Sequence, residues 1–98
     1  MAVLSPSEIQ EKLKSLPHWK LEGREIVREV TFADFVRAVD FVNAVAERAE
    51  RAGHHPDIDI RYNKVRLALI SHDAGGLTHR DFDLAASIDA LDNLQIAS

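Results

Sequence analysis

With 98 residues, no cysteine and a formal charge of −4, the chain has the length of one domain. It lacks the thiolates from which disulfides and thiolate zinc sites are made. The acidic balance argues against nucleic acid, which wants a basic face, and no apolar run approaches the roughly 20 residues that cross a membrane.

A cysteine-free chain fits a reducing, cytoplasmic setting. Ser5, Pro6 and Glu8 arrive too early for a basic-then-apolar secretory leader. Residues 1–98 show no repeat, linker or low-complexity tract and read as a single domain. At this size folding buries only about two thirds of the unfolded surface, so a symmetric partner is a natural source of added stability.

Three hydroxyl residues, each with a carboxylate three positions on, announce helix starts as capping boxes: Ser5 with Glu8, Thr31 with Asp34, and Thr78 with Asp81. Pro6 preorganises the first helix, which runs from about Pro6 to Lys14 and is closed off by Pro17. Trp19 and Leu21 alternate with Lys20 and Glu22 as a strand, and Gly23-Arg24 turns the chain into a second strand through Ile26, Val27 and Val30.

The middle helix spans about Phe32 to Ala52, with Phe35, Val39, Val42, Ala46 and Ala49 recurring at helical spacing as its core stripe. Ala38, Phe41, Val45 and Ala52 widen that stripe, so the helix is expected to touch more than its own sheet. Gly53 supplies a left-handed cap, and Pro56 forbids continuation.

Ile58, Ile60 and Tyr62 then alternate with Asp59 and Arg61, and Asn63-Lys64 is the expected two-residue turn. The return strand carries Val65, Leu67 and Leu69 on one face, with His72 on the opposite parity if the strand extends that far. A glycine-bearing loop, Asp73 to Leu77, feeds the last helix, about His79 to Leu94. The order α-β-β-α-β-β-α predicts an α+β fold: a four-stranded antiparallel sheet with helices packed on one face.

Polar groups concentrate in two places, Glu50-His54-His55-Pro56 at the middle helix's end and Ser71-His72-Asp73 after the last strand. Imidazole titrates near neutrality, which suits general acid–base work. In an extended link His54 and His55 point apart, so one can face a pocket while the other faces a second wall. A plain structural reading stands beside this one: a cationic histidine after a helix C-terminus complements the dipole.

Asp81 is the carboxylate of the third capping box and is also able to orient a histidine. Glu50 precedes His54 by one helical turn, within reach of a contact. Gly75 and Gly76 precede a helix N-terminus, where free backbone N–H groups receive ligands, but an ordinary turn explains them as well. His18 and His79 read as surface residues. Adjacent histidines rarely converge on one ion and the His-Glu-x-x-His spacing is absent, so no metal is expected.

Four runs together are specific: Glu50 to Pro56, Tyr62-Asn63-Lys64-Val65, Leu69-Ile70-Ser71-His72, and Gly76-Leu77-Thr78-His79-Arg80-Asp81. With Trp19, Leu21-Glu22-Gly23 and Phe32-x-x-Phe35, the chain resembles the pterin-4a-carbinolamine dehydratase family over nearly its whole length. That resemblance implies a hydro-lyase that dehydrates 4a-hydroxytetrahydropterin to quinonoid dihydropterin, in tetrahydrobiopterin recycling after aromatic amino acid hydroxylation. It implies no cofactor and a homodimer or homotetramer, while charge and the lack of a long apolar run argue against nucleic-acid and membrane partners.

By position it implies catalytic roles for His54, His55, His72 and Asp81. Substrate binding falls to Gly53, His54, His55, Ile70, Ser71, His72 and Asp73, with Glu50 in support. Ile58 stands where many relatives carry an aromatic residue, so pterin stacking from that position is not expected; Ile58 fits the core-facing row of its strand instead. The rival function is an interaction module, since animal relatives stabilise the dimerisation domain of a homeodomain transcription factor. A metal-dependent hydrolase is a third reading.

Overall fold

The computed structural model describes residues 2–91. Helix α1 (Pro6–Leu13) is followed by strands β1 (Lys20–Glu22) and β2 (Glu25–Thr31), helix α2 (Phe35–Ala52), strands β3 (Asp57–Arg61) and β4 (Lys64–Leu69), and helix α3 (His79–Asp89). The strands form one antiparallel sheet in the order β1-β2-β4-β3. This is the expected α-β-β-α-β-β-α arrangement.

Register decides which face is apolar, because residues directly opposite in an antiparallel pair share a face. Ile26 pairs with Leu69, Arg28 with Leu67, and Val30 with Val65. All six are buried, and the five apolar ones join one cluster with Phe32 and with Phe41, Val45, Leu84 and Ile88 from the helices. Phe32 and Phe41 pack with tilted rings, centroids 5.0 Å apart, a geometry that the quadrupoles of the two rings favour. The alternate residues, Glu29 opposite Arg66 opposite Asp59, give the other face its charge.

On the sheet's β1 side lies a part-buried polar junction. Asp89 accepts from Trp19 Nε1 at 2.8 Å and from Arg28 Nη1 at 2.5 Å, tying α3 to the approach of β1 and to β2.

Four sequence expectations shift. The middle helix starts at Phe35, not Phe32, and Thr31 with Asp34 is no capping box. Thr31 is paired with Lys64 as the last residue of β2, while Asp34 is itself the N-cap and accepts from the Arg37 N–H at 2.9 Å. The core line of α2 is Ala38, Phe41, Val45 and Ala49, whereas Phe35 is 50% exposed. Two apolar lines run side by side along this helix, and the sheet claims the second. Only Ala49 belongs fully to the predicted stripe.

The hairpin turn is Tyr62-Asn63, because Arg61 pairs with Lys64. Tyr62 takes the positive φ of 54°, since Asn63 is committed elsewhere: its amide donates to Phe32 O at 2.8 Å and its carbonyl accepts from the Phe32 N–H. Ile58 has the core-facing parity, opposite Leu67, yet is 38% exposed. Strand β3 lies at the sheet edge, beyond full helical cover. Residues 92–94, placed at the end of the last helix by the sequence reading, lie outside the described residues.

Candidate active site

The end of α2 aims the first histidine. Gly53 adopts φ 64° and ψ 30°, its N–H bonds Glu50 O, and the next N–H, of His54, bonds back to Ala49 O at 3.2 Å. This reciprocal pair is the Schellman closure. It reverses the chain so that His54 enters the interior, at 8% exposure, beside the N-terminus of α3. His55 follows on extended chain and is exposed, so the two rings do point apart.

Asp81, fully buried in the first turn of α3, receives His54. Its Oδ1 lies 2.5 Å from His54 Nε2, while Oδ2 accepts from Ser71 Oγ and from the Thr78 N–H, each at 2.9 Å. The Thr78 hydroxyl lies 2.8 Å from Ser71 Oγ and accepts from the Arg80 N–H at 3.3 Å.

Directions follow from chemistry. A carboxylate only accepts, so Nε2–H and Ser71 O–H both donate to Asp81. With the Ser71 proton committed, the Thr78 hydroxyl must donate to Ser71. The relay therefore runs from the Arg80 N–H through Thr78 and Ser71 to Asp81, each link polarising the next. It holds the carboxylate and places the proton of His54 on Nε2, which leaves Nδ1 as the nitrogen able to accept. One carboxylate thus caps α3 and orients a histidine.

Strand β4 ends at Leu69, so His72 lies not on a strand but in a tight loop. Ser71 bridges to Gly76, and the N–H groups of Ala74 and Gly75 return to Ser71 O at 3.1 and 3.0 Å. The N–H groups of Gly75 and Gly76 are spent on this turn, so the glycines are turn residues rather than a ligand cradle; Gly75 carries the required positive φ of 78°.

His72 is exposed at the loop tip, one residue from Ser71. Consecutive Cα atoms are about 3.8 Å apart, so the backbone of His72 adjoins the carboxylate that holds His54. Asp73 accepts from Arg80 Nη2 at 2.6 Å, and that bond holds its carboxyl below the usual carboxylate range.

The remaining sequence candidates divide. Glu50 reaches His55, not His54: Oε2 lies 2.5 Å from His55 Nε2, with both side chains largely exposed, where an ion pair contributes little to stability. Ser71 is fully buried with its hydroxyl turned to Asp81, so its side chain supports the site from beneath. Ile70 is half-buried and Gly53 exposed.

A cleft of about 170 Å³ between α2 and α3 is lined by Ala52, His54, Arg80, Asp83, Leu84 and Ser87. Among the described residues no cluster of three or more histidine or carboxylate side chains is arranged to hold a metal ion. Thr78 and Arg80 were missed as site residues by the sequence reading. Their signals were the Thr78–Asp81 capping box, which Thr78 opens and which encloses Arg80, and the run Gly76 to Asp81.

Together the fold and site define a small α+β domain in which a buried aspartate orients a histidine beside a histidine-bearing loop. The sequence profile described as pterin 4 alpha carbinolamine dehydratase matches residues 2–91, and the chain belongs to that family. A protein of Acidobacterium capsulatum, provisionally named pterin-4-alpha-carbinolamine dehydratase, is 71% identical over 91 residues, 93% of this chain and 99% of that one. A Chloroflexus aurantiacus protein with the same provisional name is 60% identical over 93% of this chain and 98% of its own length.

Among solved structures, a Brucella melitensis protein described as a transcriptional coactivator/pterin dehydratase superposes with a TM-score of 0.87 at 35% identity, covering 92% of this chain and 98% of that chain. A pterin dehydratase-like protein, described as a RuBisCO assembly factor in the alpha-carboxysome, shares the fold with a TM-score of 0.60 at 23% identity, over 74% of this chain and 84% of that one.

Proposed function

We propose that this protein dehydrates a 4a-hydroxytetrahydropterin to the quinonoid dihydropterin by histidine acid–base catalysis. Family membership supports the reaction class. The observation that carries the mechanism is the buried Asp81–His54 pair, which reserves one ring nitrogen for accepting a proton.

In the reaction the C4a–O bond breaks and the N5 lone pair forms the C4a=N5 bond. The hydroxyl leaves as water after gaining a proton, and N5 gives up its hydrogen. His54 Nδ1 takes the N5 proton; the exposed imidazole of His72 delivers one to the hydroxyl. His55, paired with Glu50, binds and orients the ring, with Gly53, Ile70 and Asp73 at the rim and Ser71 beneath. The nitrogen itself expels the leaving group, so the step draws on no electron transfer. Each proton transfer by a positioned side chain contributes about 10²–10⁴-fold.

The same reading takes residues 1–98 as a single cytoplasmic domain that serves tetrahydrobiopterin recycling after an aromatic amino acid hydroxylase and works as a homodimer or homotetramer. Phe35, Val36, Ile58, Ile60 and Tyr62, all exposed apolar groups, support the assembly. No helix among the described residues is long and apolar enough to cross a membrane.

The test is direct. The 4a-hydroxypterin is generated chemically and its dehydration followed by absorbance; the protein should accelerate it, and His54→Ala or His72→Ala should remove most of the acceleration. No acceleration over buffer would overturn the enzyme. It would leave the second reading in front, a stabilising binding module, which the coactivator description of the Brucella melitensis protein favours.

A further inference from the structure

The first turn of α3 holds both histidine-bearing segments, through consecutive residues. Asp81 holds His54, at the end of α2. Arg80 reaches the other way: its Nη2 donates to Asp73 at 2.6 Å, in the loop whose preceding residue is His72. Arg80 is three-quarters buried, whereas Asp73 is 71% exposed, so the arginine is the fixed end of the pair.

A second feature shows that Arg80 is held for more than its own packing. Its Nε–H is buried and meets no acceptor among the described residues, an arrangement that costs stability relative to a satisfied donor. A side chain free to choose would turn that group to water. Here the reach to Asp73 fixes it.

The far side of the same loop is tied as well. Arg24, from the β1–β2 turn, donates to Gly75 O, and Leu4 N–H donates to Leu77 O at 2.8 Å. The loop is therefore anchored on its outer flank by the β1–β2 turn and the N-terminal segment, and at its tip by Arg80 of α3.

We propose that Arg80 is a positioning residue: by gripping Asp73 it sets the His72 imidazole relative to the His54 imidazole that its neighbour Asp81 holds, so that one helical turn fixes the spacing between the two. The catalytic part of this inference rests on the dehydratase reading above. The grip itself does not.

Two kinds of readout test it on the intact protein. For Arg80→Gln, Asp73→Asn and the double variant, turnover of the 4a-hydroxypterin and hydrogen exchange of the Ala74 and Gly75 amides are measured side by side. Each single substitution should lower kcat about tenfold, because a misplaced group costs rate even when binding is kept, while in Arg80→Gln KM stays within about twofold. The double variant should be no slower than either single one, since both remove the same contact. Arg80→Lys, able to reach the carboxylate with one donor, should recover most of the rate.

The Ala74 and Gly75 amides should exchange about tenfold faster in the three variants that break the pair, a local opening rather than a global one. Additive losses in the double variant, or wild-type kcat in Asp73→Asn, would overturn positioning. Asp73 is exposed, so that variant keeps the fold. Unchanged amide exchange in Arg80→Gln would overturn the grip whether or not the protein turns over a pterin.

Discussion

Asp81→Asn isolates what the buried carboxylate does. Asparagine keeps the volume and one acceptor oxygen but replaces the other with an NH₂ group. If the oxygen stays on the Ser71 and Thr78 side, the NH₂ meets His54 Nε2, which must then accept. The ring proton moves to Nδ1, the nitrogen that the reaction needs bare. In the flipped orientation the Ser71 O–H and the Thr78 N–H both face a donor, and two buried donors without acceptors cost about 1–3 kcal/mol each. The first orientation therefore wins, at the cost of exchanging a charge-assisted bond for a neutral one, about 1–2 kcal/mol.

A domain of this size loses about 4–8 °C of Tm per kcal/mol, so the variant stays folded in an ordinary assay. Turnover should fall about 10²–10⁴-fold, the worth of one positioned proton acceptor. Asp81→Ala strips the acceptor from all three donors and should cost about 3–9 kcal/mol, a large part of a typical 5–15 kcal/mol stability. The assay is pterin dehydration by absorbance, with ¹⁵N spectra of the His54 ring reporting the tautomer. Wild-type turnover in Asp81→Asn together with a proton moved to Nδ1 would refute the reasoning.

Other outcomes follow from the same structure. Asp89→Ala removes the carboxylate shared by Trp19 and Arg28; losing these charge-assisted hydrogen bonds should cost about 1.5–3 kcal/mol, read by chemical denaturation with Trp19 fluorescence. Gly53→Ala places a Cβ where nothing lies within 4 Å, so its cost is the left-handed backbone alone, about 1–2 kcal/mol, with a fall in Tm and a displaced His54 ring resonance. Glu8 is held below its ordinary carboxylate pKa first by the Ser5 backbone N–H and then by the Ser5 hydroxyl. Its contribution is present above the unfolded value and fades as pH falls through the lower folded one, so α1 should fray in acid. Glu8→Gln should abolish that acid-dependent fraying, measured by exchange of the first-turn amides.

Element order and the helix punctuation were legible in the chain. Ser5 with Glu8 and Thr78 with Asp81 became caps, and Gly53 took the left-handed turn, because these are local transactions between a side chain and backbone a few residues away. The strand-pair spacing around Gly23 gave the first hairpin for the same reason.

Where two local readings competed, sequence had no means to decide. Thr31 lost its cap to Asp34 because β4 claimed it as a strand partner. Phe35 lost the core to Ala38 and Phe41 because the sheet packs on only one of two adjacent apolar lines. Tyr62, rather than Asn63, carries the positive φ because Asn63 is held by Phe32, thirty-one residues back.

The histidines stood out by type and by their runs of neighbours, but their joining did not. Only tertiary structure brings Asp81, Ser71 and His54 onto one buried carboxylate, turns Glu50 toward His55, and spends Arg80 on Asp73. Local hydrogen bonds are written in spacing along the chain, whereas a site assembled from three segments depends on how their elements pack.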